Sequence, residues 1–390
     1  MDSKNCRILA HMKVAILTQP LGHNYGGLLQ AYALQTYLKK LGCEVETLDR
    51  RVEGAGRISL KGHALNLARL MLGRIKSFPT ESRQAWVLSE LAAFRDRRLT
   101  MSPRIASEQE IRDYYRDRDF DAFVVGSDQV WRPRYSPSIL NFYLDFLDDI
   151  KSPAKRIAYA ASFGVDDWEY SSELTEQCKS LAQKFDSISV REQSAVALCR
   201  AKLGVSAEWV VDPTLLLEPA DYEPLISECE KNANAGCVLS YVLDPAPEKR
   251  SIADSVGRAV GANVFSIKPE CSLTQVRAKD IAKCRFPSVE SWLQAFHDAS
   301  FVVTDSFHGT VFSILFNKPF IAVGNSARGM ARFESLLSQF GLTDRLVESP
   351  RAVSPELVHS QIDWAAVNAK REAFANAGRQ FLEVTVRVTS

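Results

Sequence analysis

His308 lies in the run Phe301-Val302-Val303-Thr304-Asp305-Ser306-Phe307-His308-Gly309-Thr310-Val311-Phe312-Ser313-Ile314-Leu315-Phe316. Phe301 to Thr304 read as a short, fully buried strand. Val311 to Phe316 read as a helix apolar on nearly all sides, and therefore buried. Gly309 permits a tight turn that a side chain would obstruct. Such a junction aims backbone N–H groups and the positive end of a helix dipole at the carboxyl edge of a sheet, where anions bind. An imidazole in that place can serve as an acid or a base. The bland alternative is a His that only satisfies a buried carbonyl.

Three other junctions carry polar groups at strand ends: Asn24-Tyr25-Gly26-Gly27, Gly126-Ser127-Asp128-Gln129, and Arg191. Each has a plain structural reading. Gly26 and Gly27 can merely cap a helix, and Ser127-Asp128 can be an N-cap. Arg191 can merely pair with Glu192 or another carboxylate. Arg328 and Arg332, one helical turn apart, are either a surface helix start or a clamp on an anion. None of these matches a Walker loop or the dinucleotide fingerprint.

The elements around these junctions alternate. Lys13–Thr18, Glu44–Leu48, Ala122–Val125, Arg156–Ala161, Ser187–Val190 and Trp209–Val211 read as strands, with helical patterns between several of them. A second series starts at Cys237–Val242, continues through Asn263–Ile267 and Phe301–Thr304, and ends with the strand Pro319–Val323. Two α/β blocks predict two Rossmann-like domains facing across a cleft. The expected boundaries are an appendage at 1–11, an N-terminal domain at 12–217, a linker at 218–235, a C-terminal domain at 236–355 and a helical segment at 356–390. A helical insertion is expected at about 51–118. Within it, residues 51–98 hold ten basic against four acidic residues, a net of six positive charges. That stretch is a lid, a surface that leans on anionic lipid, or a solvated helical insertion.

Composition excludes several classes. The 390 residues are 46% hydrophobic and 24% charged, as in a globular protein. Lys and Arg number 48 against 47 acidic residues, which gives no sign of a nucleic-acid binder. No apolar run is long enough to span a membrane. Eight cysteines without a C-x-x-C pair are expected to be reduced, which suits the cytoplasm. The six His lack metal-ligand spacing, and no metal or cofactor is expected.

Together the junctions resemble the polysaccharide pyruvyl transferase family over most of residues 12–345. The resemblance is carried by seven ordered blocks: Asn24 to Leu34, Val125 to Trp131, Tyr159 to Gly164, Ser189-Val190-Arg191-Glu192, Asp212 to Leu216, Thr304 to Thr310, and Arg332-Phe333. It implies a GT-B-like glycosyltransferase architecture. It also implies transfer of pyruvate from phosphoenolpyruvate, as co-substrate, to a sugar of a cell-surface polysaccharide or its lipid-linked precursor, giving a cyclic ketal. The family's donor-site Arg and His fall on Arg191 and His308. Many members carry a basic residue and an aliphatic one before that His, where this chain has Ser306-Phe307. Arg328 or Arg332 would supply the missing guanidinium.

On this reading Arg191, Ser306, Gly309, Thr310, Arg328 and Arg332 bind the donor, with the Gly309–Val311 amides on one anionic group. His308 protonates the methylene carbon. Asp128 or Asp305 serves as the base or orienting acceptor. Asn24, Tyr25, Gly26, Gly27, Ser127 and Gln129 receive the acceptor. The expected setting is the cytoplasm, with contact to the inner membrane surface left open. A nucleotide-sugar glycosyltransferase of the same architecture, with Glu334 reading a ribose, and a non-catalytic anion- or sugar-binding protein are the alternatives.

Overall fold

The computed structural model describes residues 12–52, 60–230, 232–244, 246–324 and 329–386. Residues 1–11, expected as an appendage, lie outside the described residues. Two parallel sheets organise the chain. The first contains β1 (Lys13–Leu17), β2 (Glu44–Arg50), β3 (Met101–Ile105), β4 (Ala122–Val125), β5 (Lys155–Ala161), β6 (Ser187–Val190) and β7 (Glu208–Trp209), in the order β3-β2-β1-β4-β5-β6-β7. The second contains β8 (Val238–Tyr241), β9 (Val264–Phe265), β10 (Phe301–Thr304), β11 (Phe320–Val323) and β12 (Leu346–Val347), in the order β12-β11-β10-β8-β9. Central strands such as β4 (Ala-Phe-Val-Val) and β10 (Phe-Val-Val-Thr) are buried along their whole length. That is why they read as continuous apolar runs rather than alternating ones.

Strand order reverses once in each sheet. In the first sheet the reversal falls between β1 and β4, whose register pairs Leu17 with Val125. In the second it falls between β8 and β10, whose register pairs Tyr241 with Thr304. Neighbouring loops diverge at such points, which opens a crevice beyond the carboxyl ends of the strands. The segments Thr18–Gly27 and Gly126–Gln129 leave the first crevice, and Asp305–His308 leaves the second.

Four elements differ from the sequence reading. The expected helical insertion contains a strand: β3 pairs with β2 through Thr47↔Met101 and Arg50↔Ile105. Its Pro103 and Arg104 disguise it, and Pro is tolerated there because β3 is an edge strand. The expected linker contains the helix Pro219–Ile226. Pro319–Val323 is not the last strand, since β12 follows on β11. The closing helix Trp364–Thr385 returns to the first sheet, where Phe381 meets Tyr159 (6.0 Å between ring centroids) and Arg379 donates to the Leu216 carbonyl (3.0 Å).

The two sheets share one core. It runs from Val14 and Ile16 through the helix Tyr25–Lys40 to Trp292, Val302 and Phe320. Tyr25 is the hinge pin of this contact: its ring stacks on Trp292 (5.6 Å) and its hydroxyl donates to the Pro287 carbonyl (2.7 Å). The seven described cysteines are free.

Candidate active site

The helix after β10 begins at Phe307, so His308 and Gly309 belong to its first turn. Ser306 is the N-cap, and its hydroxyl accepts the Gly309 N–H (3.2 Å). The Thr310 N–H is taken by the Ser306 carbonyl (2.9 Å), which also accepts the Thr310 hydroxyl (3.1 Å). These bonds correct the expected anion cradle: Gly309 and Thr310 have their amides engaged within the turn. Gly309 is required for packing rather than for the turn itself, because a Cβ there would lie 2.4 Å from Thr304 Oγ1.

The same turn places His308 against the opposite sheet. A Cβ built on Gly26 would sit 2.0 Å from His308 Nδ1. Gly26 opens the helix after β1, whose N-cap Asn24 accepts the Gly26 N–H (3.0 Å). The loops from the two strand-order reversals therefore touch through a glycine and an imidazole.

On its other nitrogen, His308 Nε2 lies 3.4 Å from Asp212 Oδ2. The same oxygen accepts from Arg191 Nη1 (2.7 Å). Asp212 Oδ1 is used locally: it accepts the Thr214 N–H (3.1 Å) and hydroxyl (2.7 Å) and so caps the turn Pro213–Leu215. Burial alone would raise the Asp212 carboxyl, but His308 and Arg191 hold it well below the usual carboxylate range. Asp128 Oδ1 stands 3.4 Å from Arg191 Nη2, and Glu192 Oε1 stands 3.7 Å from Arg191 Nε. Burial works against the Arg191 charge, yet Asp212, Glu192 and Asp128 together raise its pKa.

Phe307 occupies the space between two guanidinium groups. Arg191 Cζ lies 4.3 Å from its ring centroid and Arg332 Cζ lies 5.9 Å from it. Ring quadrupoles attract cations at such distances. Arg332 is buried at the start of the helix Ala331–Phe340, which docks on the first sheet's side by a Gln193 N–H to Ser335 Oγ bond (3.1 Å). Burial and then the nearby Arg191 lower the Arg332 pKa to about 10, so it stays charged at neutral pH. Two buried guanidinium groups thus flank one ring with an imidazole beside them, and Asp212, Asp128 and Glu192 offset the charge of Arg191. A wider cleft of about 600 Å³, lined by Glu90, Arg97, Glu228, Phe265, Glu290 and Gln294, shares no residue with this cluster.

Several expected site residues have other work. Asp305 is turned away from the cluster: its carboxylate accepts the Leu243 and Asp244 N–H groups (2.5 and 3.1 Å) and pairs with Lys249 (2.6 Å). It anchors the loop after β8 and is no base. Tyr25 is in the shared core, not at an acceptor surface. The Ser127 hydroxyl donates to the Ala160 carbonyl (2.9 Å) and its N–H to Gln30 (3.0 Å), so it is structural. Gln129 is half-buried and accepts from Arg132 (3.1 Å). Gly27 is buried beside exposed Asn24. Arg328 lies outside the described residues. The structure brings together His308, Arg191, Arg332, Asp128 and Gly26.

Sequence reading gave no site role to Asp212 or Phe307, and named Glu192 only as an ion-pair partner for Arg191. Asp212 follows a strand and precedes Pro-Thr, a pattern that a capping role fully accounts for. Among the described residues, no group of three or more His, Cys, Asp or Glu side chains is placed to hold a metal ion.

Two parallel-sheet Rossmann-like units with a charged cluster where their crevices meet define the GT-B class. The fold is similar to UDP-GlcNAc 2-epimerase from Neisseria meningitidis bound to UDP-GlcNAc, at 9% identity and TM-score 0.54, over 96% of this chain and 99% of that one. It is also similar to Arabidopsis thaliana UGT89C1 complexed with UDP-L-rhamnose, at 10% identity and TM-score 0.52, over 95% and 98%. No curated protein sequence matches significantly. The polysaccharide pyruvyl transferase family model matches residues 24–327. The chain belongs to that family.

Proposed function

We propose that the protein transfers pyruvate from phosphoenolpyruvate to two hydroxyls of a sugar, on a cell-surface polysaccharide or its lipid-linked precursor, in the cytoplasm. The observation that carries this reading is the shared Asp212 oxygen, 2.7 Å from Arg191 and 3.4 Å from His308, with Arg332 across Phe307. Phosphoenolpyruvate has a carboxylate and a phosphate within one small molecule, which suits two guanidinium groups set close together. His308 delivers a proton to the methylene carbon, and C2 becomes electrophilic. One sugar hydroxyl adds to C2 and gives its proton to Asp128. Phosphate then leaves with the C2–O bond pair and takes up that proton. The second hydroxyl adds, losing its proton to the imidazole, and the ketal closes. Phosphoenolpyruvate and a diol become a pyruvate ketal and inorganic phosphate, with no cofactor.

Gly26, set against His308, and Asn24, which caps its helix, are the acceptor side in this proposal. The test is phosphate release from phosphoenolpyruvate with cell-envelope oligosaccharides, and mass spectrometry of the product for a pyruvate ketal. The structural relatives that hold UDP-sugars favour one rival, a nucleotide-sugar reaction at the same helix start. Thermal shift separates the two. Stabilisation by phosphoenolpyruvate and not by UDP-GlcNAc is expected, and the reverse pattern overturns the proposal.

A further inference from the structure

Among the described residues, nine large apolar side chains are exposed, and four of them fall within one stretch: Leu65 (52%), Leu67 (48%), Met71 (77%) and Leu72 (68%). They belong to the helix Leu60–Met71 and its last turn, where the Leu72 N–H still bonds to the Ala68 carbonyl (3.0 Å). At about 100° per residue, Leu67, Met71, Ala68, Leu72 and Leu65 follow one another around about half of the helix circumference. Arg69 borders this arc, and Arg74 and Lys76 follow it, all exposed. None of the three has an ion-pair partner among the described residues. Residues 60–80 contain no Asp or Glu. The segment is held at its far end, where Ile75 is buried, the Ser77 hydroxyl donates to the Leu273 carbonyl (2.7 Å) and Phe78 stacks on His63 (5.4 Å). It is thus a fixed apolar surface with a basic border, not a frayed end. No helix among the described residues is long and apolar enough to cross a membrane.

We propose that this helix lies on the surface of a bilayer containing anionic phospholipid, with Leu65, Leu67, Met71 and Leu72 among the acyl chains and Arg69, Arg74 and Lys76 at the headgroups. An apolar arc bordered by cations is the chemistry that such a surface selects. A second copy of the chain is disfavoured as the occupant, because two such segments would bring like charges together without a carboxylate between them. The inference is independent of the donor assignment, since it rests on no residue of the His308 cluster. It places the enzyme where a lipid-linked acceptor is presented.

Sedimentation with vesicles tests it, using phosphatidylcholine alone and phosphatidylcholine with about one-third phosphatidylglycerol. The full chain is expected to pellet with the anionic vesicles only, and less at high salt. Leu65→Asp combined with Met71→Asp is expected to weaken binding by at least about tenfold. Arg69→Gln and Arg74→Gln are each expected to weaken it by about fivefold. Melting temperature and phosphate release with a soluble acceptor should stay at wild-type values in all three. Should the Asp pair fail to fold, the two Arg variants carry the test. Equal binding to neutral and anionic vesicles, variants that bind like wild type, or a wild-type dimer that the Asp pair converts to monomer would each overturn the proposal.

Discussion

His308 Nδ1 occupies the space that a side chain on Gly26 would need, with only 2.0 Å between the nitrogen and a Cβ built on that glycine. The two residues come from helices that follow the strand-order reversals of different sheets. Their contact closes the cluster from above, while Asp212 and Arg191 close it from the first sheet. His308 and Arg191 therefore come from different sheets, and neither sheet alone assembles the cluster.

Gly26→Ala is expected to push the imidazole off Asp212. A shift of about 1 Å can cost about a hundredfold in rate, so ketal formation should fall by that factor or more. Gly27→Ala is the control, since its Cβ meets only Asn24 at 3.6 Å. It should keep activity and gain about 0.5–1 kcal/mol of stability from helix propensity. Phosphate release and urea melts on both variants check the pair.

Asp212→Asn leaves the buried Arg191 with weaker partners and removes the carboxylate that orients His308. About 3 kcal/mol of stability should be lost, with a fall in kcat of about a hundredfold. The native Asp212 pKa is depressed by His308 and Arg191 against the effect of burial. Its contribution is therefore present above the unfolded value of about 4 and is lost as pH falls toward the lower native value. The gap in melting temperature between wild type and variant should narrow below that pH. A gap independent of pH contradicts the ion pair.

Phe307→Leu removes the ring shared by Arg191 and Arg332. Each cation–ring contact contributes about 0.5–2 kcal/mol, so KM for phosphoenolpyruvate should rise by about tenfold while kcat changes less. Phe307→Tyr should behave as wild type. Arg332→Ala should raise the same KM by at least about tenfold, because charged hydrogen bonds contribute about 1.5–3 kcal/mol. Steady-state kinetics with varied donor separates KM from kcat.

Asp305→Asn should damage the fold and spare the chemistry. Breaking its buried pair with Lys249 costs about 3 kcal/mol, while kcat per folded molecule stays near wild type. Asp128→Asn should reduce kcat by about a hundredfold and also lower the melting temperature, because the buried Arg191 loses one of its carboxylate partners. Active-site titration beside thermal melts reads both quantities.

Glu192 is buried, and burial raises its carboxyl pKa although Arg191 and Ser162 pull it back. A raised native value means that its contribution to stability is greatest below the unfolded value of about 4.3 and declines as pH rises through the native value. Glu192→Gln removes that decline. Its melting temperature relative to wild type should climb between acid and neutral pH, and a constant difference would refute the buried-charge reading.

Much of this arrangement was legible along the chain. β4, β6 and β10 were readable to the residue, β4 and β10 because buried parallel strands are apolar runs between turn residues. His308, Arg191 and Asp128 were readable because each lies within four residues of the end of such a strand. β3 was not, because an edge strand keeps only part of its surface buried and tolerates Pro103 and Arg104.

Local order of residue types thus determined the two α/β blocks and which strand ends carry ionisable groups. Tertiary structure alone decided what those groups face. Asp305 and Asp212 both follow buried apolar residues and look alike in sequence, yet Asp305 turns to Lys249 and Asp212 to His308 and Arg191. The direction of a carboxylate is set by which loop packs over it, and that loop comes from a distant part of the chain. For the same reason Gly26 could be read only as a helix start, until the second sheet's helix set an imidazole against it.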